Sequence, residues 1–153
     1  MRTRAKGFTL IEVLIALVIL AIGLLGMSSL MMTSMQSSQS AYLRSQASLL
    51  AYDLTERMRA NVDRATGSND YQIGTGTTSV ANPGCTNGLC TPTQQAQLDL
   101  SEWRAALSGS IPGSTASVVR ANQNEYTITI AWEESSALQG NTGTSNFVLR
   151  VNL

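Results

Sequence analysis

Three groups of residues have the types and spacing to do something chemical. The first is Gly7-Phe8 followed by Glu12, at the head of a long apolar run that carries no further charge until Arg44. A carboxylate one turn inside a membrane-length apolar stretch costs roughly 2.5 to 3.5 kcal/mol on insertion scales, so Glu12 needs a partner or a purpose. The second group is Cys85 and Cys90, which flank Thr86-Asn87-Gly88-Leu89. The third is Asp99 and Glu102, a carboxylate pair three residues apart on a predicted helix; they fall on the flank and back of its apolar face, where solvation is the expected role.

What is missing narrows the chemistry further. The 153 residues contain no histidine, which removes the commonest general base and the commonest metal ligand together. Two cysteines without histidine do not complete a tetrahedral zinc site, so no metal and no cofactor is expected. A disulfide between Cys85 and Cys90, closed over an Asn87-Gly88 turn, is the expected state and implies an oxidising compartment. With no grouping of nucleophile, base and orienting residue, the chain is not expected to be an enzyme.

The elements that position these residues begin with the apolar run. Residues 8–35 are long enough to cross a hydrocarbon core of about 30 Å. Arg2, Arg4 and Lys6 sit just before it, and the positive-inside rule keeps that end in the cytoplasm and exports the rest. Periodicity continues past the span: Leu43, Ala47, Leu50, Leu54 and Met58 mark one face of an amphipathic half, residues 36–64, so a single helix is expected from Phe8 to about Arg64. Asp53 and Arg57 are spaced i to i+4 on it. Gly23 and Gly26 interrupt the membrane half, either as a packing contact or as a point that can melt.

Residues 65–153 read as a small α+β domain. Residues 65–92, rich in Gly, Ser, Thr and Asn, read as a loop. Thr91-Pro92 signals a second helix, with Ala96, Leu100, Trp103 and Leu107 on one face and Gly109 as its stop. Alternation of Tyr126, Ile128, Ile130 and Trp132, and of Phe147, Leu149, Val151 and Leu153, gives two strands; a third is expected around Ala116 to Arg120, and the Gly140 to Thr144 region is expected to join the last pair. The stripe from Leu43 to Met58 is the expected cover for the sheet, with Trp103 and Trp132 as core anchors.

The run Lys6-Gly7-Phe8-Thr9-Leu10-Ile11-Glu12-Val13-Leu14 resembles the class III signal of type IV pilins and pseudopilins. That resemblance implies a pilin-like α+β fold, with a long N-terminal helix packed on a small antiparallel sheet. It also implies that a prepilin peptidase cuts between Gly7 and Phe8, removing residues 1–7 as a leader, that the new terminus at Phe8 is N-methylated, and that Glu12 serves assembly. Ala21-Ile22-Gly23-Leu24-Leu25-Gly26, Ala41 to Ala47, Leu50 to Leu54, Asp99 to Trp103 and Thr127 to Trp132 resemble the PilV-like branch of minor pilins.

Subunits of that kind are implicated in priming pilus assembly and presenting a tip adhesin. The expected partners are therefore the prepilin peptidase, other minor pilins and the major pilin, the adhesin and the inner-membrane assembly platform. The expected location is a single pass of the inner membrane with residues 65–153 in the periplasm, then the pilus. A minor pseudopilin of a type II secretion system is the alternative. A DNA-uptake pilin is disfavoured: removing the leader leaves seven cationic against ten anionic side chains, so nucleic acid is not an expected partner.

Overall fold

Thr9 starts the first helix. Its hydroxyl accepts from the Glu12 amide at 3.4 Å, filling one of the donors that a helix N-terminus leaves open. The computed structural model describes residues 7–77, 79–85, 89–136 and 141–153. Helix α1 runs without a break from Leu10 to Ala60, and Gly23 and Gly26 are helical within it. The chain divides into two compact units, Met1–Ser38 and Gln39–Leu153, and α1 contributes to both.

The expected single helix to Arg64 stops short. Asn61 leaves helical geometry, at φ −126° and ψ 47°, and the chain re-enters a helix as α2, Val62–Gly67. Tertiary bonds hold Asn61 at this break: its side-chain amide donates to the Pro92 carbonyl at 2.8 Å and to the Tyr71 hydroxyl at 3.3 Å. Residues 65–67, expected as loop, are the end of α2. The loop itself is not merely a surface connection, because Tyr71 is fully buried and Ile73 pairs with Val118 of the sheet.

Helix α3, Pro92–Ser110, starts where the sequence predicts. Thr91 caps it reciprocally with Gln94 in a capping box, and Pro92 occupies the first turn. Gly109 does not stop it; the helix continues to Ser110, and Pro112 prevents continuation while Gly113, at φ 74°, takes the left-handed turn.

Three strands follow as an antiparallel meander in the order β1-β2-β3: β1, Thr115–Arg120; β2, Glu125–Ser136; β3, Asn141–Asn152. The β2·β3 register runs unbroken from Glu125 opposite Asn152 to Ser136 opposite Asn141. Residues 141–144, expected as connection, are therefore strand; Gly140, like the Asn87-Gly88 turn, lies outside the described residues.

The core belongs to the unit Gln39–Leu153. Ala47, Ala51, Leu54 and Met58 of α1, Leu100, Trp103 and Leu107 of α3, and Tyr126, Ile128, Ile130 and Trp132 of β2 are all buried. At about 1.5 to 3 kcal/mol for each large side chain, this layer of helix on sheet is what holds the domain. Both tryptophans are core anchors, and the Trp103 indole also donates to the Leu50 carbonyl of α1 at 2.8 Å. Ala51 and Thr55 widen the predicted stripe; the Thr55 hydroxyl donates to the Ala51 carbonyl and so enters the core without an open donor.

The expectation of a solvated Asp99 is wrong. Its carboxylate is 4% exposed and accepts from the Tyr71 hydroxyl at 2.5 Å and the Gln95 side chain at 2.8 Å, with the Arg57 guanidinium 3.7 Å away. Arg57 also pairs with Asp53 and Glu102, and the Glu102 bond is the main reason its pKa is raised. The hydrophobic flank of α3 carries this carboxylate because Tyr71, far off in sequence, arrives with a donor. Burial first, then the bond to Asp99, pushes the Tyr71 hydroxyl up so that it stays protonated and donating.

A second node lies at the other end of β2. Glu134 accepts from the Trp132 indole at 2.9 Å and the Ser145 hydroxyl at 2.7 Å. These two bonds, in that order, hold its pKa below the ordinary carboxylate value; burial opposes them, and Ser40 and Arg44 of α1 reinforce them.

Asp99→Ala should destabilise the chain by about 2 to 4 kcal/mol, because it leaves a buried tyrosine hydroxyl without its acceptor; urea unfolding measures this, and a loss below about 0.5 kcal/mol would contradict it. For Glu134, the folded pKa lies below the unfolded one. Its contribution is complete above the unfolded value of 4.5 and is lost as pH falls through the folded value. Melting temperatures of the wild type and Glu134→Gln should therefore converge on acidification from about pH 5 to about pH 3, while at neutral pH the variant melts lower.

Candidate functional site

Gly7 and Phe8 lie exposed ahead of α1, and Glu12 sits in its first turn. Gly7 has no structural reason to be glycine. A Cβ added there would meet nothing within 4 Å, and the residue is not among the glycines with positive φ. Whatever requires a residue without a side chain at this position acts from outside the chain.

Glu12 occupies the third helical position, three residues after its cap Thr9. Sequence reading missed Thr9, although Thr-x-x-Glu ahead of an apolar run is a recognisable helix start. At this end the helix dipole favours negative charge by about 0.3 to 1 kcal/mol. That is well short of the roughly 2.5 to 3.5 kcal/mol that a carboxylate costs in an apolar layer. The intrachain field therefore offsets only part of the penalty.

The helix behind Glu12 is apolar on every side and covered on none. All the large apolar side chains from Phe8 to Met35 are at least 49% exposed. It is the one described helix long and apolar enough to cross a membrane, and none of its most apolar stretch is buried. Three of its hydroxyls bond within the helix: Ser28 donates to the Leu24 carbonyl at 2.9 Å, Thr33 to the Ser29 carbonyl at 3.1 Å and Ser38 to the Ser34 carbonyl at 3.0 Å. A helix that hydrogen-bonds its own backbone and hydroxyls is suited to a medium without water.

In the other unit, Cys85 and Cys90 form the expected disulfide, with a Cα separation of 5.3 Å. It fastens the segment that precedes α3, where Gly84, at φ 62°, turns the chain and donates its amide to the Asn82 side chain at 2.9 Å. A loop this short stabilises by about 2 kcal/mol on the loop-entropy account. Leu89, beside Cys90, is 81% exposed.

Two arginines of this unit are tied into the fold. A surface cleft of about 390 Å³ is lined by Thr66, Gly67, Asn69, Gln72, Arg120, Asn122 and Gln123. Its one cation is already engaged: the Arg120 guanidinium donates to the carbonyls of Thr66, Ser68, Asn122 and Gln123, tying the end of α2 to the β1–β2 turn. Arg104 is buried and donates to the carbonyls of Thr77 at 2.8 Å and Ser114 at 2.9 Å. Burial lowers its pKa. Among the described residues, no cluster of Cys, Asp or Glu is placed to hold a metal ion.

Comparison with known proteins matches two successive parts of the chain. A family model for a prokaryotic N-terminal methylation motif matches residues 2–28, and one described as type IV pilin Tt1218 matches residues 29–101. No curated protein and no solved structure matches the chain.

Proposed function

From the premise that this chain belongs to the type IV pilin-like family, we propose that it is a minor pilin, made as an inner-membrane precursor and incorporated after processing into a complex that primes pilus assembly and presents an adhesin. Membership implies a prepilin peptidase and other pilins as partners. The observation that carries the reading is the pairing of an unexplained glycine with an uncovered apolar helix: Gly7 serves no need of the fold, and residues 8–35 have no partner within the chain.

The mechanism follows from charge. Cutting the Gly7–Phe8 bond frees an amine at the edge of the apolar helix, four residues from Glu12. A positive amine in an apolar layer is costly for the same reason that the carboxylate is. Each therefore seeks the other, and between neighbouring subunits the pair neutralises both charges and sets the axial register of one helix against the next. N-methylation of Phe8 keeps the amine cationic. The domain beyond Gln39 is exported and lies in the periplasm, an oxidising compartment in keeping with the Cys85–Cys90 disulfide. The family description favours the pilus over the secretion pseudopilus as the filament.

Two variants separate processing from assembly. Gly7→Val should fold unchanged, since its Cβ has free space, yet keep residues 1–7, which intact-mass spectrometry detects. Glu12→Ala should be cleaved normally and begin at methylated Phe8 but be absent from sheared pili. Normal incorporation of Glu12→Ala would defeat the assembly role, and normal cleavage of Gly7→Val would defeat the processing role.

A further inference from the structure

The sheet protects one edge and leaves the other open. On β1, the main-chain groups of Val118, whose side chain is in the core, turn outward and pair with Ile73, Ile73 N to Val118 O at 3.1 Å and Val118 N to Ile73 O at 2.9 Å. On β3, nothing among the described residues plays that part; β2 is its one neighbour.

The outward groups of β3 can be assigned from the ladder. Leu153 N donates to Asn124 O at 2.9 Å, in register with the β2·β3 pairs. In an antiparallel ladder the bonded pairs alternate, so Val151, Leu149, Phe147, Ser145 and Gly143 bond towards β2. Thr144, Asn146, Val148, Arg150 and Asn152 therefore turn their N–H and C=O groups away from the sheet.

An open edge of this length normally carries a device against pairing, such as proline, a bulge or several charges. Strand β3 has no proline, its register is unbroken and its one charge is Arg150. Its core-side row, Phe147, Leu149, Val151 and Leu153, is only half-buried, whereas Tyr126, Ile128, Ile130 and Trp132 beside it on β2 are at most 2% exposed. One more strand would complete that cover.

We infer that the outer edge of β3, from Thr144 to Asn152, is a docking site for an extended segment of another protein subunit, apolar at alternate positions and carrying a carboxylate opposite Arg150. A second copy of this chain fits less well, because its own β3 has no acidic residue and leaves Arg150 unmatched. The added strand gains main-chain hydrogen bonds along the edge, and the apolar row and Arg150 set its register. The inference does not rest on the processing of Phe8: a chain that is never cleaved presents the same edge.

The test uses the full chain in detergent micelles and, as probe, an end-blocked peptide of about nine residues alternating valine with threonine, with one central glutamate. Hydrogen exchange should show saturable protection of the amides of Thr144, Asn146, Val148, Arg150 and Asn152. Val148→Pro removes an outward N–H without touching the β2 ladder; it should leave thermal unfolding unaltered and weaken the peptide at least about tenfold. Arg150→Glu should weaken it by about fivefold, and a peptide with lysine for glutamate should restore binding to that variant. The charge swap carries the test if the proline variant fails to fold. Absence of protection, undiminished binding to both variants, or concentration-dependent protection of the chain without peptide would each overturn the inference, the last by assigning the edge to self-association.

Discussion

Everything in this protein follows from an apolar helix surface that its own chain cannot cover. The side chains from Phe8 to Met35 are exposed around the whole circumference, and leaving them in water would forfeit tens of kcal/mol at about 25 cal/mol per Å². A medium or a neighbour must supply the cover. A bilayer does so for a single chain and a bundle of like helices does so for an assembly, and an unbroken helix suits both because its backbone groups bond within it. Glu12 is the exception. The helix dipole offsets only part of the cost of its charge in a bilayer, and on the proposed reading a cation in the assembly would relieve the rest.

The domain beyond Gln39 uses its charges differently. Asp99 joins α3 to Tyr71 and Arg57, Glu134 joins the far end of β2 to β3 and to the Ser40 and Arg44 turn of α1, and Arg120 fastens α2 to the β1–β2 turn. These groups are committed to carbonyls, hydroxyls and one another, which makes the domain a rigid mount. Among the features not so committed are main chain at the β3 edge and an exposed leucine beside the disulfide. A subunit built to be held by neighbours would keep such features at its surface.

The long helix, the second helix and the strands were legible because each rests on a local signal: period 3.6 from Leu43 to Met58, Thr91-Pro92 as a start, and strict alternation from Tyr126 to Trp132. The N-terminal family motif was legible for the same reason, since Gly7, Phe8 and Glu12 fall within one short run. The errors have different causes. Asn61 breaks the helix where Pro92 and Tyr71 approach it from distant parts of the chain, Asp99 is buried because Tyr71 brings it a donor, and the helix survives Gly109 because the turn is made at Pro112-Gly113. The first two depend on tertiary partners that no local window contains, whereas Pro112-Gly113 lies just downstream of Gly109 and was open to local reading. Thr9 is another miss that local reading could have avoided.

The central claim, that residues 8–35 exchange a lipid environment for a protein one, is tested most directly by a spin label placed at Leu24. In the membrane the label should be relaxed by oxygen and not by a water-soluble nickel chelate, and in the pilus fraction it should be shielded from both. Access of the nickel chelate to the label in the membrane would contradict the account, as would a label equally open to oxygen in both fractions.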